Sequence, residues 1–291
     1  YKTTAEHSLC QYAATCMFGN TYYATASEQL DEVKRLLPQC RPSIIAKAAV
    51  YSREQGRLKD FPALLLVYLS SKKEHDLVER IFPRIVNNVK MLLNVTQMIR
   101  SNVFGKRSLG SQLKRLFQTW FHSRNGKQLF LASVGHSNPS LVDVMNLCHV
   151  APRTPQEVAN YSYLRGLTLN TENNNRYTGK YEDLHPLIRQ YEEFKRDSSG
   201  DVPDVPFTCL TNLPLSQKQW AEKTLAFPWN TLRMNLNNVA RKGVFNENIA
   251  KQVADKLRDK ELVRKFNAFP FELMQAVNYT TADVPNSVKV A

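Results

Sequence analysis

The residue pair best suited to covalent chemistry is Cys148 followed directly by His149. A thiol and an imidazole within hydrogen-bond reach can act as nucleophile and base. Consecutive residues of a helix point about 100° apart, however, so these two side chains would not face each other. Cys148 also continues an apolar stripe at helical spacing with Leu141, Val144 and Met145. The pattern therefore predicts that Cys148 belongs to the core and is not a catalytic thiol.

No familiar catalytic motif accompanies this pair. The sequence contains no glycine-rich phosphate loop, no nucleophile-elbow motif and no His-Glu-x-x-His metal motif. The adjacent acids Glu192 and Glu193 are interpreted as surface charge, because neighbours on a helix diverge. We therefore predict that the chain is not an enzyme. A nuclease whose ligands are distant in sequence stays open as a third alternative.

The cysteines and histidines are scattered and lack the spacing of a zinc site. An odd number of scattered cysteines favours reduced thiols and a cytoplasmic protein. No apolar run reaches the roughly 18 residues that a membrane helix needs. We expect no catalytic residue, bound metal, cofactor or membrane association in this chain.

The clearest chemical signal is a long segment without acidic residues. The chain has 39 Lys and Arg against 26 Asp and Glu, a formal charge of +13, yet no acid occurs from Arg80 to Val142. Ordinary surfaces intersperse both signs, whereas binding to nucleic-acid phosphates favours Lys and Arg and disfavours carboxylates. The basic residues of this segment are Arg80, Arg84, Lys90, Arg100, Lys106, Arg107, Lys114, Arg115, Arg124 and Lys127.

One predicted helix, residues 111–123, sorts these residues onto faces. Leu113, Leu116, Phe117 and Trp120 share one face and are predicted to be buried. The other face predicts a strip of hydrogen-bond donors directed at solvent, formed by Lys114, Arg115, Gln118 and His122. We interpret the strip as a phosphate contact. Our candidate contacts in the segment are Lys106, Arg107, Lys114, Arg115, Arg124 and Lys127.

Helical start signals recur along the chain and predict an all-α protein. Thr154-Pro155 opens one helix, and Ser216 with Gln219 forms a capping box ahead of another. Residues 139–147, 181–196 and 228–243 are each predicted to be a single helix. Short helices joined by short loops suit stacked helix pairs, as in an α-solenoid. Because no clean sequence repeat is visible, a compact helical bundle is the alternative.

Four segments, in order along the chain, resemble the TROVE domain of the Ro autoantigen family in its bacterial form. Residues 17–23 read Met-Phe-Gly-Asn-Thr-Tyr-Tyr, and residues 109–120 form a basic helix containing Trp120. Residues 139–152 end in His-Val-Ala-Pro. The fourth segment, residues 202–237, begins Val-Pro-Asp-Val-Pro-Phe and ends Arg-Met-Asn-Leu-Asn. Together the four segments span almost the whole chain.

The resemblance implies a ring or arc of HEAT-like helical repeats, with residues 1–291 as one TROVE-like domain. Family members bind Y RNA on a basic outer surface and single-stranded 3′ ends of misfolded non-coding RNA in a central hole. They act in RNA quality control, and bacterial members associate with the exoribonuclease polynucleotide phosphorylase. A divalent metal would belong to the family's von Willebrand A module, whose Asp-x-Ser-x-Ser motif does not occur in this sequence.

The resemblance also implies roles for individual residues. His149 matches a family position implicated in Y RNA binding, although a histidine at a helix end can also serve to cap the helix. A second basic contact of the family falls near His136. Arg233 and Asn235 match a late helix, and Asn235 would lie on the wall of the hole. A helical-repeat adaptor for acidic protein partners is the alternative from another functional class.

Overall fold

The computed structural model is helical throughout, as the sequence predicts. It describes residues 3–16, 18–19, 24–105, 107–135, 138–169, 178–266 and 270–291, and for residues 270–272 the backbone alone. These ranges contain no β-strand, and none of their helices is long and apolar enough to cross a membrane. The chain divides into two compact units, Tyr1–His185 and Pro186–Ala291. A single domain over residues 1–291 stays a prediction.

The first unit is a succession of helices of about two to four turns each. A short 3₁₀ turn at Leu37–Gln39 follows α2, and a second one at Tyr181–Asp183 follows α10. The helices are α1 (Ala5–Thr15), α2 (Ala26–Leu36), α3 (Pro42–Glu54), α4 (Asp60–Ser71), α5 (His75–Ile85), α6 (Val89–Arg100), α7 (Ser111–His122), α8 (Gly126–Ser133), α9 (Leu141–Leu147) and α10 (Pro155–Leu164).

Helix α4 forms the centre of this unit because it is apolar on every side. All residues from Phe61 to Leu69 are buried, as expected for a helix enclosed by others. It packs against α3, α5 and α6, while α1 packs on α3, α5 on α7 and α6 on α9. One continuous cluster of buried side chains runs from Leu9 to Tyr161.

The second unit is built around α16, whose buried face consists of Ile249, Ala250, Val253, Ala254 and Leu257. Helices α13, α14, α17 and α19 pack on it. The helices of this unit are α11 (Pro186–Arg196), α12 (Phe207–Leu210), α13 (Gln217–Ala226), α14 (Trp229–Met234), α15 (Leu236–Arg241), α16 (Glu247–Arg258), α17 (Lys260–Phe266), α18 (Pro270–Tyr279) and α19 (Asn286–Lys289).

The predicted helix starts at Thr154 and Ser216 are confirmed. The Thr154 hydroxyl accepts from the backbone N–H of Glu157, and Ser216 and Gln219 form the reciprocal capping box. The helix predicted over residues 139–147 begins later, at Leu141, because Ser140 is its N-cap.

Two predicted helices are interrupted, and five others were missed. Residues 228–243 break at Asn235, whose side-chain amide donates to the carbonyl of Thr231 and so competes with the helical pattern. Residues 181–196 break before Pro186, because a proline disfavours helical geometry in the residue that precedes it. The helices that were not predicted from their sequence pattern are α6, α8, α12, α17 and α19.

Candidate nucleic-acid interface

The apolar face of α7 is buried as predicted. Leu113, Phe117 and Trp120 are 3%, 0% and 4% exposed, and the Trp120 indole donates a 3.0 Å hydrogen bond to the carbonyl of Val86. These contacts fix the rotation of α7 about its axis. The positions of its polar side chains are therefore determined by the core.

The polar strip of α7 differs from the prediction, because only part of it reaches solvent. Arg115 is exposed and Lys114 is half-buried. The Gln118 amide instead donates to the carbonyl of Cys148 at 2.9 Å. The imidazole of His122, 8% exposed, lies 3.2 Å from a carboxylate oxygen of Glu157. The C-terminal half of the strip, Gln118 and His122, thus contacts the end of α9 and α10. The periodicity of one helix cannot predict such contacts with other helices.

His149 ends α9 through its backbone. Its φ of 54° is left-handed, its N–H donates to Asn146, and the N–H of Val150 donates to Met145. These two bonds form a Schellman motif with His149 at the left-handed position that glycine usually occupies. The imidazole is exposed, and within the described part of the chain no hydrogen bond or ion pair to it is observed. Capping of the helix therefore does not require the imidazole.

Helix α7 and the end of α9 meet at Cys148. Gln118 binds the Cys148 carbonyl, and the charge of Lys114 acts on the Cys148 thiol. Lys114 and His149, two of the predicted contacts, are therefore brought to the same part of the first unit. The sequence alone could not show this, because 35 residues separate them.

Arg165 extends this surface and was missed by the sequence analysis. Its Nε donates a 2.9 Å hydrogen bond to the side-chain carbonyl of Asn146, which lies in the last turn of α9. Partial burial lowers the pKa of Arg165, and Arg153, on the loop before α10, is exposed. Both lie outside the acid-free segment. Their positions next to helix ends were the only sequence signal that could have indicated them.

Acidic side chains from outside the acid-free segment contact some of its basic residues in the folded chain. Arg84 makes a two-point contact with Glu54 of α3, at 2.7 and 2.6 Å. Arg115 lies 3.5 Å from Glu79, which precedes the segment by one residue. Arg84 and Arg115 are thus paired with carboxylates, although no acidic residue lies near them within the segment. Fewer basic side chains of this segment are available to phosphates than the sequence suggests.

Arg124 and Lys127 are both half-buried. The Arg124 guanidinium lies 3.4 Å from the centre of the Trp120 ring and donates to the Trp120 carbonyl at 2.6 Å. Burial lowers its pKa. Lys127 is half-buried and its charge acts on His185. Arg124 is therefore engaged in closing the end of α7.

Of three further predicted contacts, Arg107 is exposed on the loop before α7. Lys106 and His136 lie outside the described residues.

In the second unit, Arg233 and Asn235 lie at the junction of α14 and α15. The Arg233 guanidinium donates to the Asn230 side chain at 2.9 Å and lies over the Trp229 ring, 5.8 Å from its centre. Arg233 also borders a cavity of about 330 Å³ together with Tyr279 and Gln275. The Asn235 amide is directed at Thr231. Both residues thus have local structural partners.

The thiol of Cys148 is unsuited to nucleophilic catalysis. It is fully buried, and burial raises its pKa to about 12, so that the thiolate is scarce near neutral pH. The prediction that Cys148 belongs to the core is confirmed. Where side chains are described, no three His, Cys, Asp or Glu residues come together as metal ligands.

Comparison with known proteins gives no family assignment. No protein-family model matches the chain, and no curated protein matches it significantly.

Proposed function

We propose that the chain is an RNA-binding scaffold that holds structured, Y RNA-like RNA on the surface formed by α7, the end of α9 and the residues that flank α10. The observation that carries the proposal is the contact of Gln118 with the Cys148 carbonyl. It brings Lys114 and the exposed His149 into one region, with Arg165 attached to the same end of α9. The phosphates of structured RNA bind cationic side chains, and its exposed bases stack on aromatic rings.

Each side chain has a distinct role in the proposal. Lys114 and Arg115 contact phosphates, Arg165 and Arg153 extend the positive surface, and the His149 imidazole stacks on or hydrogen-bonds to an unpaired base. The left-handed backbone of His149 costs roughly 1 kcal/mol compared with glycine. A role for the exposed ring would explain why this strained position is not glycine.

The finer architecture is also a proposal. In the first unit α1, α3, α5 and α7 pack in succession, and α4 packs on α6, which packs on α9. Helices that pack on the next-but-one helix are typical of an α-solenoid. This packing supports HEAT-like repeats arranged as an arc or ring.

The cellular role rests on the resemblance to the TROVE domain. We propose that the protein is cytoplasmic and acts in RNA quality control with an exoribonuclease such as polynucleotide phosphorylase. Arg233 and Asn235 would then serve the site for single-stranded 3′ ends of misfolded RNA.

The experiment that tests RNA binding compares the salt dependence of two lysine variants. Lys114→Ala should weaken binding to a stem-loop RNA and reduce the salt slope by about 1, because one phosphate contact is lost. Lys47→Ala, which removes an exposed lysine of α3, is the matched control and should leave the slope unchanged. Glu79→Gln frees Arg115 and should strengthen binding about two- to threefold. Equal slopes for all variants would contradict the proposal.

A helical adaptor for protein partners is a second candidate, because apolar side chains are exposed on the second unit. Met234, Met274, Val277 and Val290 are 68%, 65%, 60% and 75% exposed. Val277 and Val290 border a cavity of about 390 Å³ that also has Arg233 and Lys289 in its lining, which suits an acidic, amphipathic segment. Val277→Asp should abolish capture of such a partner and leave RNA binding unchanged.

A further inference from the structure

A cavity of about 530 Å³ lies in the first unit, between the end of α4 and the start of α7. This volume is within the range of roughly 300–1,000 Å³ that small-molecule sites occupy. Its lining combines apolar side chains with serines and a lysine. None of the side chains described as lining it is acidic. The cavity therefore has the composition of a site for an anion with an apolar part.

Lys73 supplies the positive charge. It follows α4 in a left-handed conformation with φ 63°, and the N–H groups of Lys73 and Glu74 donate to Ser70 and Leu69. This Schellman motif places a lysine where glycine is more favourable. Lys73 is exposed, and no ion pair with its ammonium is observed among the described residues.

Four serines line the cavity, and two of them, Ser108 and Ser111, lie on either side of Gly110. Gly110 is the N-cap of α7 and has no side chain to accept from the first N–H groups of the helix. Lys73, Ser108, Ser111 and the first residues of α7 line the same cavity, and among the described residues no hydrogen bond to the Ser108 or Ser111 hydroxyl is observed. Together they offer an ammonium, hydroxyl groups and backbone N–H groups to a phosphate.

A reciprocal contact between α5 and α7 holds this wall in place. The Gln112 amide donates to the His75 carbonyl at 2.7 Å, and its oxygen lies 2.8 Å from Nδ1 of His75. The backbone acceptor fixes the orientation of the amide, so Nδ1 must donate and Nε2 of the neutral imidazole is the acceptor. The first turn of α7 therefore has a defined position beside Lys73.

The apolar part of the lining is an aromatic and aliphatic wall. Phe104 is half-buried and packs edge-on against Tyr68, with ring centres 5.2 Å apart. Ile99 and Leu113 complete the wall. A planar base can rest on such a surface while its phosphate reaches the polar side.

We infer that this cavity binds one nucleotide that carries a terminal phosphate, with the phosphate held by Lys73, Ser108 and Ser111 and the base against Phe104. The same chemistry occurs in a free nucleoside monophosphate and at the phosphorylated end of an RNA chain. Only the second source rests on the proposed RNA-binding function. Neither Lys114 nor His149 is among the residues that line the cavity.

Equilibrium titration with adenosine 5′-monophosphate, adenosine and inorganic phosphate tests the site. The monophosphate should bind at least tenfold more tightly than either part alone. Lys73→Gly should weaken it about tenfold, because a charged hydrogen bond is lost, and its folding should be preserved since glycine suits the left-handed position. Ser111→Ala should weaken binding about threefold, and Lys47→Ala is the charge-matched control.

Short RNAs with a 5′-phosphate or a 5′-hydroxyl distinguish the two sources. Tighter binding of the phosphorylated RNA than of the free nucleotide assigns the site to an RNA end, and exclusion of the RNA assigns it to free nucleotides. Unchanged affinity in both Lys73→Gly and Ser111→Ala would overturn the inference, as would equal binding of inorganic phosphate and the nucleotide. Lys114→Ala separates this site from the proposed function, because it should impair stem-loop binding and leave nucleotide binding intact.

Discussion

The side-chain amide of Gln118 on α7 donates a 2.9 Å hydrogen bond to the backbone carbonyl of Cys148, the last residue before His149. The carbonyl groups in the last turn of a helix have no partner within the helix. Gln118 therefore satisfies one of them from a neighbouring helix. The bond ties the basic helix to the helix end that presents the imidazole.

Gln118→Met should destabilise the protein by about 1 kcal/mol, because methionine keeps the length of the side chain but cannot donate. Urea unfolding measures the change. Thr119→Ala is the control on the same helix, since the Thr119 hydroxyl donates to the carbonyl of Arg115 within α7. The Met variant should also weaken stem-loop binding, because the end of α9 is no longer held against Lys114. A loss of stability no larger than that of the control would contradict this role.

His149→Gly should raise the free energy of unfolding by about 0.5–1 kcal/mol. The left-handed strain is relieved, and the greater freedom of glycine in the unfolded chain offsets part of the gain. Thermal unfolding should shift upward by about 2–4 °C per kcal/mol. The same variant should bind stem-loop RNA at least fivefold more weakly. His149→Asn, which tolerates the same backbone, separates the two effects, since it should bind weakly without the full gain in stability.

Arg124→Ala should destabilise the first unit by about 1–3 kcal/mol, although a charge within an acid-free segment suggests an RNA contact. The variant removes the stacking on Trp120 and the hydrogen bond to its carbonyl. Arg80→Ala removes an exposed charge of the same segment and should change stability by less than about 0.5 kcal/mol. The salt slope of RNA binding should be the same in Arg124→Ala as in the unsubstituted protein.

Acid should weaken the contact between α1 and α3. Arg41 donates two side-chain hydrogen bonds to Glu6, at 2.8 and 2.9 Å, and these bonds lower the pKa of Glu6 from 4.5 to about 2. A lowered pKa contributes stability that is present above the unfolded value and is lost as pH falls through the folded value. The stability difference between the unsubstituted protein and Glu6→Gln should therefore shrink between pH 4.5 and about 2. A difference that is constant over this range would show that Glu6 is not ionised in the contact.

Helical content and the buried face of α7 could be predicted because they depend on local order. Spacing of apolar residues places Leu113, Phe117 and Trp120 on one side of any helix that contains them, whatever the helix packs against. Capping residues act within one turn, which is why the starts at Thr154 and Ser216 agree with the structure.

The candidate site could be predicted only in part, because its geometry depends on contacts distant in sequence. The pairing of Arg84 with Glu54 and of His122 with Glu157 joins residues 30 and 35 positions apart. The sequence around one residue of such a pair does not indicate which residue is its partner. The interruption at Asn235 arises from a side chain that binds its own backbone, a competition that periodicity does not register.

At the left-handed positions of Lys73 and His149, glycine would favour stability, whereas the lysine and the histidine would favour ligand binding. Variants selected for heat resistance alone should accumulate glycine at both, since the backbone favours it there. Variants selected for ligand retention should keep the cation and the ring and remain slightly less stable. If one library is selected in parallel for heat resistance and for ligand binding, the residues retained at positions 73 and 149 should show which property was selected.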